Sequence, residues 1–339
     1  MNAYTLLLSK NPATAWKKGE RPPPAPRSGE VLIRVRAVSL NYRDLMIARG
    51  QYMRPLKEGI IPCSDGAGEV SACGPGVTQF KPGDRVMGSF FQEWITGPIH
   101  PAYHASALGG SIDGMLAEQV VLREDGIVRI PEGLSFEEAS TLPCAGVTAW
   151  NALMEGPGRT LPGGSVLIQG SGGVSVFALQ LARAAGLRVF GISSSDTKLQ
   201  RLRALGMESG VNYKTNPNWA EEVRKLTGGE GVDGVVEVSG AIRQSLKAVK
   251  YGGWVCLIGG VGVGWDETAS LGQIFGAGAL VRPIFVGSVS MLRSLAQAIV
   301  ANRIRPVIDQ VFDFDHASEA LAKLAGGSHM GKIVISVNA

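Results

Sequence analysis

The sequence predicts a two-domain α/β protein, with a strand-rich first domain ahead of a doubly wound parallel sheet. Three observations carry this reading. The chain has 339 residues, and at about 100 to 200 residues per domain that length needs two cores. Residues 1–125 are dense in short strands and glycine- or proline-marked turns, whereas strand-like and helix-like stretches alternate from Gly126 onward. Within that second texture, residues 163–198 read GGSVLIQGSGGVSVFALQLARAAGLRVFGISSSDTK, one strand–helix–strand unit.

The elements follow in order. After Pro22-Pro23-Pro24, Val31, Ile33, Val35 and Ala37 alternate with Arg34 and Arg36, the period of a half-buried strand over Glu30 to Val38. Turns at Gly74-Pro75-Gly76, Lys81-Pro82-Gly83-Asp84 and Gly109-Gly110 divide the rest into an antiparallel, barrel-like domain. The second domain supplies strands over Ser165 to Gln169, Leu187 to Ile192, Gly234 to Val238, Trp254 to Ile258 and Leu280 to Val286. Helices are expected over Thr197 to Leu205, Trp219 to Leu226 and Ile242 to Val249. A helix over about Met291 to Ala301 and a strand over Gly331 to Val337 then return the chain to the first domain. The domains are therefore expected at 1–125 with 289–339, and at 126–288.

The strand–helix–strand unit has the chemistry of a dinucleotide site. Ser165 to Gln169 runs into Gly170-Ser171-Gly172-Gly173, and Val174, Phe177, Ala178, Leu181 and Ala185 recur at helical spacing until Gly186, placed as a C-terminal cap. Gly170 suits a tight turn, Gly172 lets a pyrophosphate approach the backbone, and the helix start offers free N–H groups. Ser175 stands at the third position of G-x-G-x-x-G, a small side chain that the packing is expected to tolerate. At the end of the next strand, where NAD sites carry an acidic residue for the ribose hydroxyls, the chain has Ser193-Ser194-Ser195. Asp196 is expected to cap the following helix, and Lys198 in its first turn either reaches a 2′-phosphate or is a solvated helix lysine. On this reading NADP(H) is preferred over NAD(H).

Composition narrows the class. A hydrophobic fraction of 45% and a charged fraction of 18% describe a folded globular enzyme. The net charge of +4 is small and the basic residues are scattered, so no nucleic-acid partner is implied. The longest apolar stretch, Trp254 to Trp265, is broken by glycines and too short to span a bilayer. Cys63, Cys73, Cys144 and Cys256 form no C-x-x-C pair or disulfide framework, which fits a reduced, cytoplasmic setting without a membrane partner.

Several segments together resemble one family. Asn41-Tyr42-Arg43-Asp44, Arg49-Gly50-Gln51-Tyr52, Pro62 to Val70, Phe80 to Val86, Leu142 to Trp150 and Gly331 to Ile335 occur in the order found in the medium-chain dehydrogenase/reductase superfamily. The resemblance covers nearly the whole chain. It implies a GroES-like catalytic domain, a Rossmann domain, an active site in the cleft between them and a homodimer. It also implies a cofactor-binding set of Thr148, Gly170, Gly172, Gly173, Val174, Ser194, Ser195, Lys198, Tyr213 and Gly259.

The chain departs from the zinc branch of that family. The three catalytic zinc-ligand places hold Asn41, Ser64 (followed by Asp65) and Cys144, so one ligand of three remains, and the four-cysteine structural zinc lobe is absent. His100 and His104 are interrupted by Pro101 and do not form a convincing pair of ligands. No metal is expected. Zinc-free quinone oxidoreductases and enoyl reductases of the family place a tyrosine where Tyr52 stands, and a phenol can donate to a developing enolate; otherwise Tyr52 packs at a domain edge. Asn41, at the first ligand place, is the second catalytic candidate, as a donor to substrate oxygen or nicotinamide ribose; otherwise it stabilises a turn. Asp44 is expected to be structural, with Arg43 as ion-pair partner. Phe90, Phe91, Trp94, Tyr103 and Met115 are expected to line an apolar entrance for a small-molecule substrate.

Three activities are compatible with these residues. The first is zinc-independent, NADPH-dependent reduction of a quinone, an enone or a related activated C=C or C=O group. The second is an alcohol dehydrogenase, metal-free or rebuilt around Cys63, Asp65 and Cys144. The third is a non-enzymatic binding protein on the same fold.

Overall fold

A computed structural model describes residues 1–9, 11–52, 59–156, 160–261, 264 and 266–337. It divides into two compact units, Met1–Val147 with Val286–Ala339, and Thr148–Phe285.

The first unit opens with the antiparallel pair β1 (Asn2–Leu6) and β2 (Trp16–Glu20). The long strand β3 (Glu30–Ser39) leads into helix α1 (Tyr42–Ala48). Strands β4 (Asp65–Cys73), β5 (Arg85–Gly88), β6 (Gln119–Arg123) and β7 (Ile127–Arg129) and helix α2 (Phe136–Ser140) follow. The alternation read in β3 is real: Val31, Ile33 and Val35 are fully buried and belong to one core cluster. Residues 126–147 go with this unit and not with the second, because β7 pairs antiparallel with β5.

The second unit begins within α3 (Val147–Met154), at Thr148, and contains β8 (Ser165–Gln169), α4 (Gly173–Ala184), β9 (Arg188–Ser193), α5 (Asp196–Ala204) and β10 (Ser209–Asn212). It continues through α6 (Trp219–Leu226), β11 (Val232–Glu237), α7 (Ile242–Ala248), β12 (Val249–Leu257), α8 (Leu271–Ala277) and β13 (Leu280–Pro283). Its strands pair in parallel in the order β10-β9-β8-β11-β12-β13 among the described residues. This is a doubly wound sheet whose order reverses beside β8, the topology that leaves a ligand crevice at the carboxyl ends of the strands.

Helix α9 (Val289–Ala301), strand β14 (Ile308–Asp313), helix α10 (Ala317–Ala325) and strand β15 (Lys332–Ser336) complete the first unit. β15 lies antiparallel to β3, with Val334 opposite Ser39, and β14 lies parallel to β15. The expected return of the C-terminal strand to the first domain is therefore correct.

Other expectations need correction. Ser195, not Asp196, caps α5, its Oγ accepting from Lys198 N at 3.4 Å. β10, β14 and α10 were not foreseen. In β10 the sequence Ser-Gly-Val-Asn carries little strand signal; Gly210 is needed there because a Cβ would stand 2.7 Å from the Gly191 carbonyl of the neighbouring strand. Phe90, Phe91, Trp94 and Met115 are buried and do not line an entrance. Phe91 packs edge-on to Phe90 and His104, and Trp94 stacks on Tyr103. Residues 262, 263 and 265 of the Trp254–Trp265 stretch lie outside the described residues. No helix among the described residues is long and apolar enough to cross a membrane.

Candidate active site

The glycine turn after β8 has the geometry that its sequence requires. Gly170 has φ +73°, a left-handed conformation that side chains rarely adopt, and its N–H donates to Ile192 O at 2.7 Å. Gly172, extended at φ −74° and ψ 179°, is the N-cap of α4 and supplies no side chain to its first turn. A Cβ at Gly172 would meet no protein atom within 4 Å. Glycine there serves no packing need of the protein, so the space above the turn suits an approaching ligand, and the first N–H groups of α4, from Gly173 and Val174, face no intrahelical acceptor. Ser175 does more than fit: buried, it donates from Oγ to the last carbonyl of β8, Gln169 O, at 2.6 Å.

Beneath this turn lies a network that the sequence did not reveal. Gln169 Nε2 donates to Glu237 Oε2 at 2.7 Å and to Ser245 Oγ at 2.8 Å, while Gln169 Oε1 accepts from Val238 N and Ser239 N. Glu237, 1% exposed, accepts at Oε1 from Ser239 N and Gly240 N, both at 2.8 Å, and from Ser239 Oγ at 3.0 Å. Its other oxygen also accepts from Ser245 Oγ. These bonds tie the end of β8 to the loop after β11, and their only signal in sequence was one carboxylate at the end of an apolar strand.

The residues expected at the adenosine end lie around the ends of β9 and β10. Ser194, Ser195 and Lys198 are half-buried, and Tyr213, 40% exposed, donates its N–H to Ser193 O at 3.0 Å. Asp196 Oδ1 accepts from Asn212 Nδ2 at 3.1 Å. Thr148 is buried at the start of α3, and Gly259 follows β12, with Val238 O 3.3 Å from the position of an added Cβ.

In the first unit, Asn41 precedes α1 and is 7% exposed. Its N–H donates to Asp44 Oδ2 at 2.8 Å, its Oδ1 accepts from Lys332 Nζ at 2.6 Å, and its Nδ2 donates to Ser64 Oγ at 3.4 Å. Ser64 Oγ donates to Asp65 Oδ1 at 2.7 Å, and Asp65 Oδ2 accepts from Cys144 N at 3.1 Å. Cys144 sits in a π-helical turn, Leu142–Gly146, an irregularity often found at functional sites. Burial raises the pKa of Asp44 to about 6, against the favourable fields of Arg43 and Lys332. Burial also raises Asp65, opposed by Lys332 and by hydrogen bonds from Asn41, Ser64 and Cys144 N. It pushes up the thiols of Cys63 and Cys144 as well, the latter despite its partly exposed residue surface. Cys63 also takes φ +68° in the loop before Ser64.

Tyr52 is half-buried against the first unit's core, and its hydroxyl makes no hydrogen bond among the described residues. The Arg43 guanidinium lies 5.1 Å from the Tyr52 ring centroid and 4.5 Å from that of Phe90, and donates to Leu108 O at 2.9 Å. Arg43 is therefore not the direct ion-pair partner expected for Asp44; it supports the tyrosine ring instead.

Residues 27–132 match the alcohol dehydrogenase GroES-like domain and residues 173–301 the zinc-binding dehydrogenase domain. A zinc-type alcohol dehydrogenase-like protein of Schizosaccharomyces pombe is 44% identical over 317 residues, covering 91% of each chain. The chain belongs to the medium-chain dehydrogenase/reductase superfamily. As a member of this superfamily it is an oxidoreductase with a GroES-like domain and a Rossmann-type domain. It is also similar to acryloyl-coenzyme A reductase of Metallosphaera sedula, 31% identical over 328 residues and covering 92% of this chain and 94% of that protein. A solved structure of a putative alcohol dehydrogenase from Sinorhizobium meliloti superposes with a TM-score of 0.91 at 39% identity, covering 99% of both chains. Other similar solved structures are those of an NAD-dependent alcohol dehydrogenase and of a mycobacterial protein complexed with NADPH.

Zinc-dependent members of the superfamily raise the question whether these residues fit a metal. They do not. Asn41 Oδ1 already faces an ammonium and Ser64 is a neutral hydroxyl that donates to Asp65, which leaves Cys144 as the one soft donor of the three ligand places. No group of three His, Cys, Asp or Glu able to hold an ion occurs among the described residues. His100 turns its Nδ1 to accept from Ala102 N at 3.2 Å, and so caps its own 3-10 turn.

Proposed function

We propose that the protein is a zinc-independent, NADPH-dependent oxidoreductase that reduces a quinone, an enone or a related activated C=C or C=O group. The observation that carries this reading is the filled polar network at Asn41, Ser64 and Asp65, which takes the places of the metal ligands. NADPH supplies the hydride when bound. The N–H groups of Gly173 and Val174 and the open turn at Gly170 and Gly172 hold the pyrophosphate. Ser194, Ser195, Lys198 and Tyr213 receive the 2′-phosphate, and Thr148 and Gly259 complete the cofactor site. Tyr52 donates its hydroxyl proton toward the substrate oxygen as negative charge develops there, with Asn41 as a second donor.

Alcohol dehydrogenase or aldehyde reductase activity is the second reading, supported by the names of the S. pombe and S. meliloti relatives. Purified protein assayed at the NADPH absorbance with quinones, enones, enoyl thioesters and aldehydes separates the two. Activity surviving chelator in protein without stoichiometric zinc is the expected result; loss of activity with loss of bound zinc would reject the proposal. Failure of every acceptor in the panel to oxidise NADPH would leave only a binding role.

The protein is further proposed to be a cytoplasmic homodimer. The support for a dimer is apolar surface on the second unit: Leu271 and Phe275 of α8, the helix that precedes the edge strand β13, are 86% and 88% exposed. A monomeric mass by light scattering at micromolar concentration would contradict the dimer.

A further inference from the structure

Lys332 stands at the start of β15 and is 3% exposed. A buried ammonium is tolerated only where acceptors surround it, and Lys332 Nζ has two, Leu40 O and Asn41 Oδ1. An ammonium has donors alone, so the amide of Asn41 must turn its oxygen to Lys332 and its nitrogen away. The direction of every following bond is then fixed. Asn41 Nδ2 donates to Ser64 Oγ, Ser64 Oγ donates to Asp65 Oδ1, and Asp65 Oδ2 ends the chain by accepting from Cys144 N. One wire runs from a buried cation to a buried carboxylate and joins α1, the start of β4, the π-helical turn and β15.

We propose that Lys332 is a positioning residue for the reaction, acting as a built-in cation that replaces a metal both as cross-link and as fixed positive charge. The inference rests on the reductase reading above. Lys332 turns the amide of Asn41 so that its N–H groups, which face Ser64 and Asp65 in the resting network, are what it can offer to a substrate oxygen, the polarity that a developing oxyanion requires. Without Lys332 the amide is free to rotate, and the Asp65 carboxylate loses its nearest counter-charge.

The test compares Lys332→Met, close in length and neutral, with Lys332→Arg in the full-length protein. Lys332→Met should lower kcat about tenfold or more, with KM changed less than kcat and NADPH affinity retained, and Lys332→Arg should recover much of the loss. A second readout needs no turnover: side-chain amide exchange of Asn41, followed by NMR in asparagine-labelled protein, should accelerate in Lys332→Met. If the wild type reduces no acceptor, the reductase reading fails while the Asn41 signal still judges Lys332. Unchanged exchange, or a lower melting temperature with kcat intact, would overturn the proposal. Should Lys332→Met not fold, Asn41→Asp keeps an acceptor for the ammonium and deletes the donor; kcat should fall, and a retained kcat would equally overturn it.

Discussion

The glycine turn of the second unit and the Asn41 network of the first are opposite ways of building a polar site. At the turn the working groups are backbone N–H donors, and the side chains have been reduced until a Cβ at Gly172 would touch nothing. At Asn41 the working groups are side chains, all buried, each satisfied by the next. An open site made of backbone tolerates almost any sequence outside its glycines. A closed site made of side chains depends on every member, because an unpaired buried polar group costs about 1–3 kcal/mol.

The sharpest break of this contrast is Gly172→Val. The side chain would stand in the space reserved for a ligand and clash with no protein atom near its Cβ, so the melting temperature should hardly move. NADPH affinity, measured by fluorescence titration, should fall about a hundredfold or more, a change of about 2.7 kcal/mol. Equal losses of stability and affinity would show that the glycine serves the fold.

Tyr52→Phe probes the other unit while keeping the ring beside Arg43. Turnover should drop about a hundredfold, as for other single positioned donors, with KM and folding changed less. An unaltered kcat under conditions where chemistry is rate-limiting removes Tyr52 from the mechanism. Lys198→Ala should weaken NADPH about ten- to a hundredfold and NADH far less, since a charge-assisted phosphate contact is worth about 1.5–3 kcal/mol. Tighter binding of NADH than NADPH by the wild type would overturn the cofactor assignment.

The smallest effect concerns acid. Asp44 has a folded pKa raised to about 6, above the usual carboxylate value. The unfolded chain therefore releases this proton first, and the contribution of this group to stability is full below about pH 4 and is lost as pH rises through about 6. Asp44→Asn removes that dependence. The stability of the variant relative to wild type should rise between pH 4.5 and 7.5, by about 1–3 kcal/mol. A difference that stays flat with pH would mean that Asp44 is charged throughout.

The same contrast explains what was legible in the sequence. The nucleotide turn could be read because its parts are neighbours: Gly170, Gly172 and Ser175 fall within six residues, between a strand and a helix. The β3 alternation and the strand pattern of β15 were readable for the same local reason, but the pairing of β15 with β3, Val334 opposite Ser39, was not. The partners of the buried networks are distant. Gln169 and Glu237 are 68 residues apart and Asn41 and Lys332 are 291 apart, so no local pattern announces either pair. Tyr52 is a candidate only through the resemblance, and Arg43 was assigned to the wrong neighbour because adjacency in sequence pointed to Asp44 while the fold placed the guanidinium near the rings of Tyr52 and Phe90.

The strand that carries Lys332 also sets an order of assembly. Residues 148–285 are contiguous, so the nucleotide unit has all its strands once that stretch has left the ribosome. The first unit cannot do the same: β3 waits for β15, and Asn41 waits for the ammonium that orients it, until some 290 further residues have been made. Domains generally fold as units during synthesis. In this chain the unit that begins translation is finished last: β6 can pair with Glu30–Arg34 early, but the Ala37–Ser39 end of β3 keeps an open edge until β15 arrives.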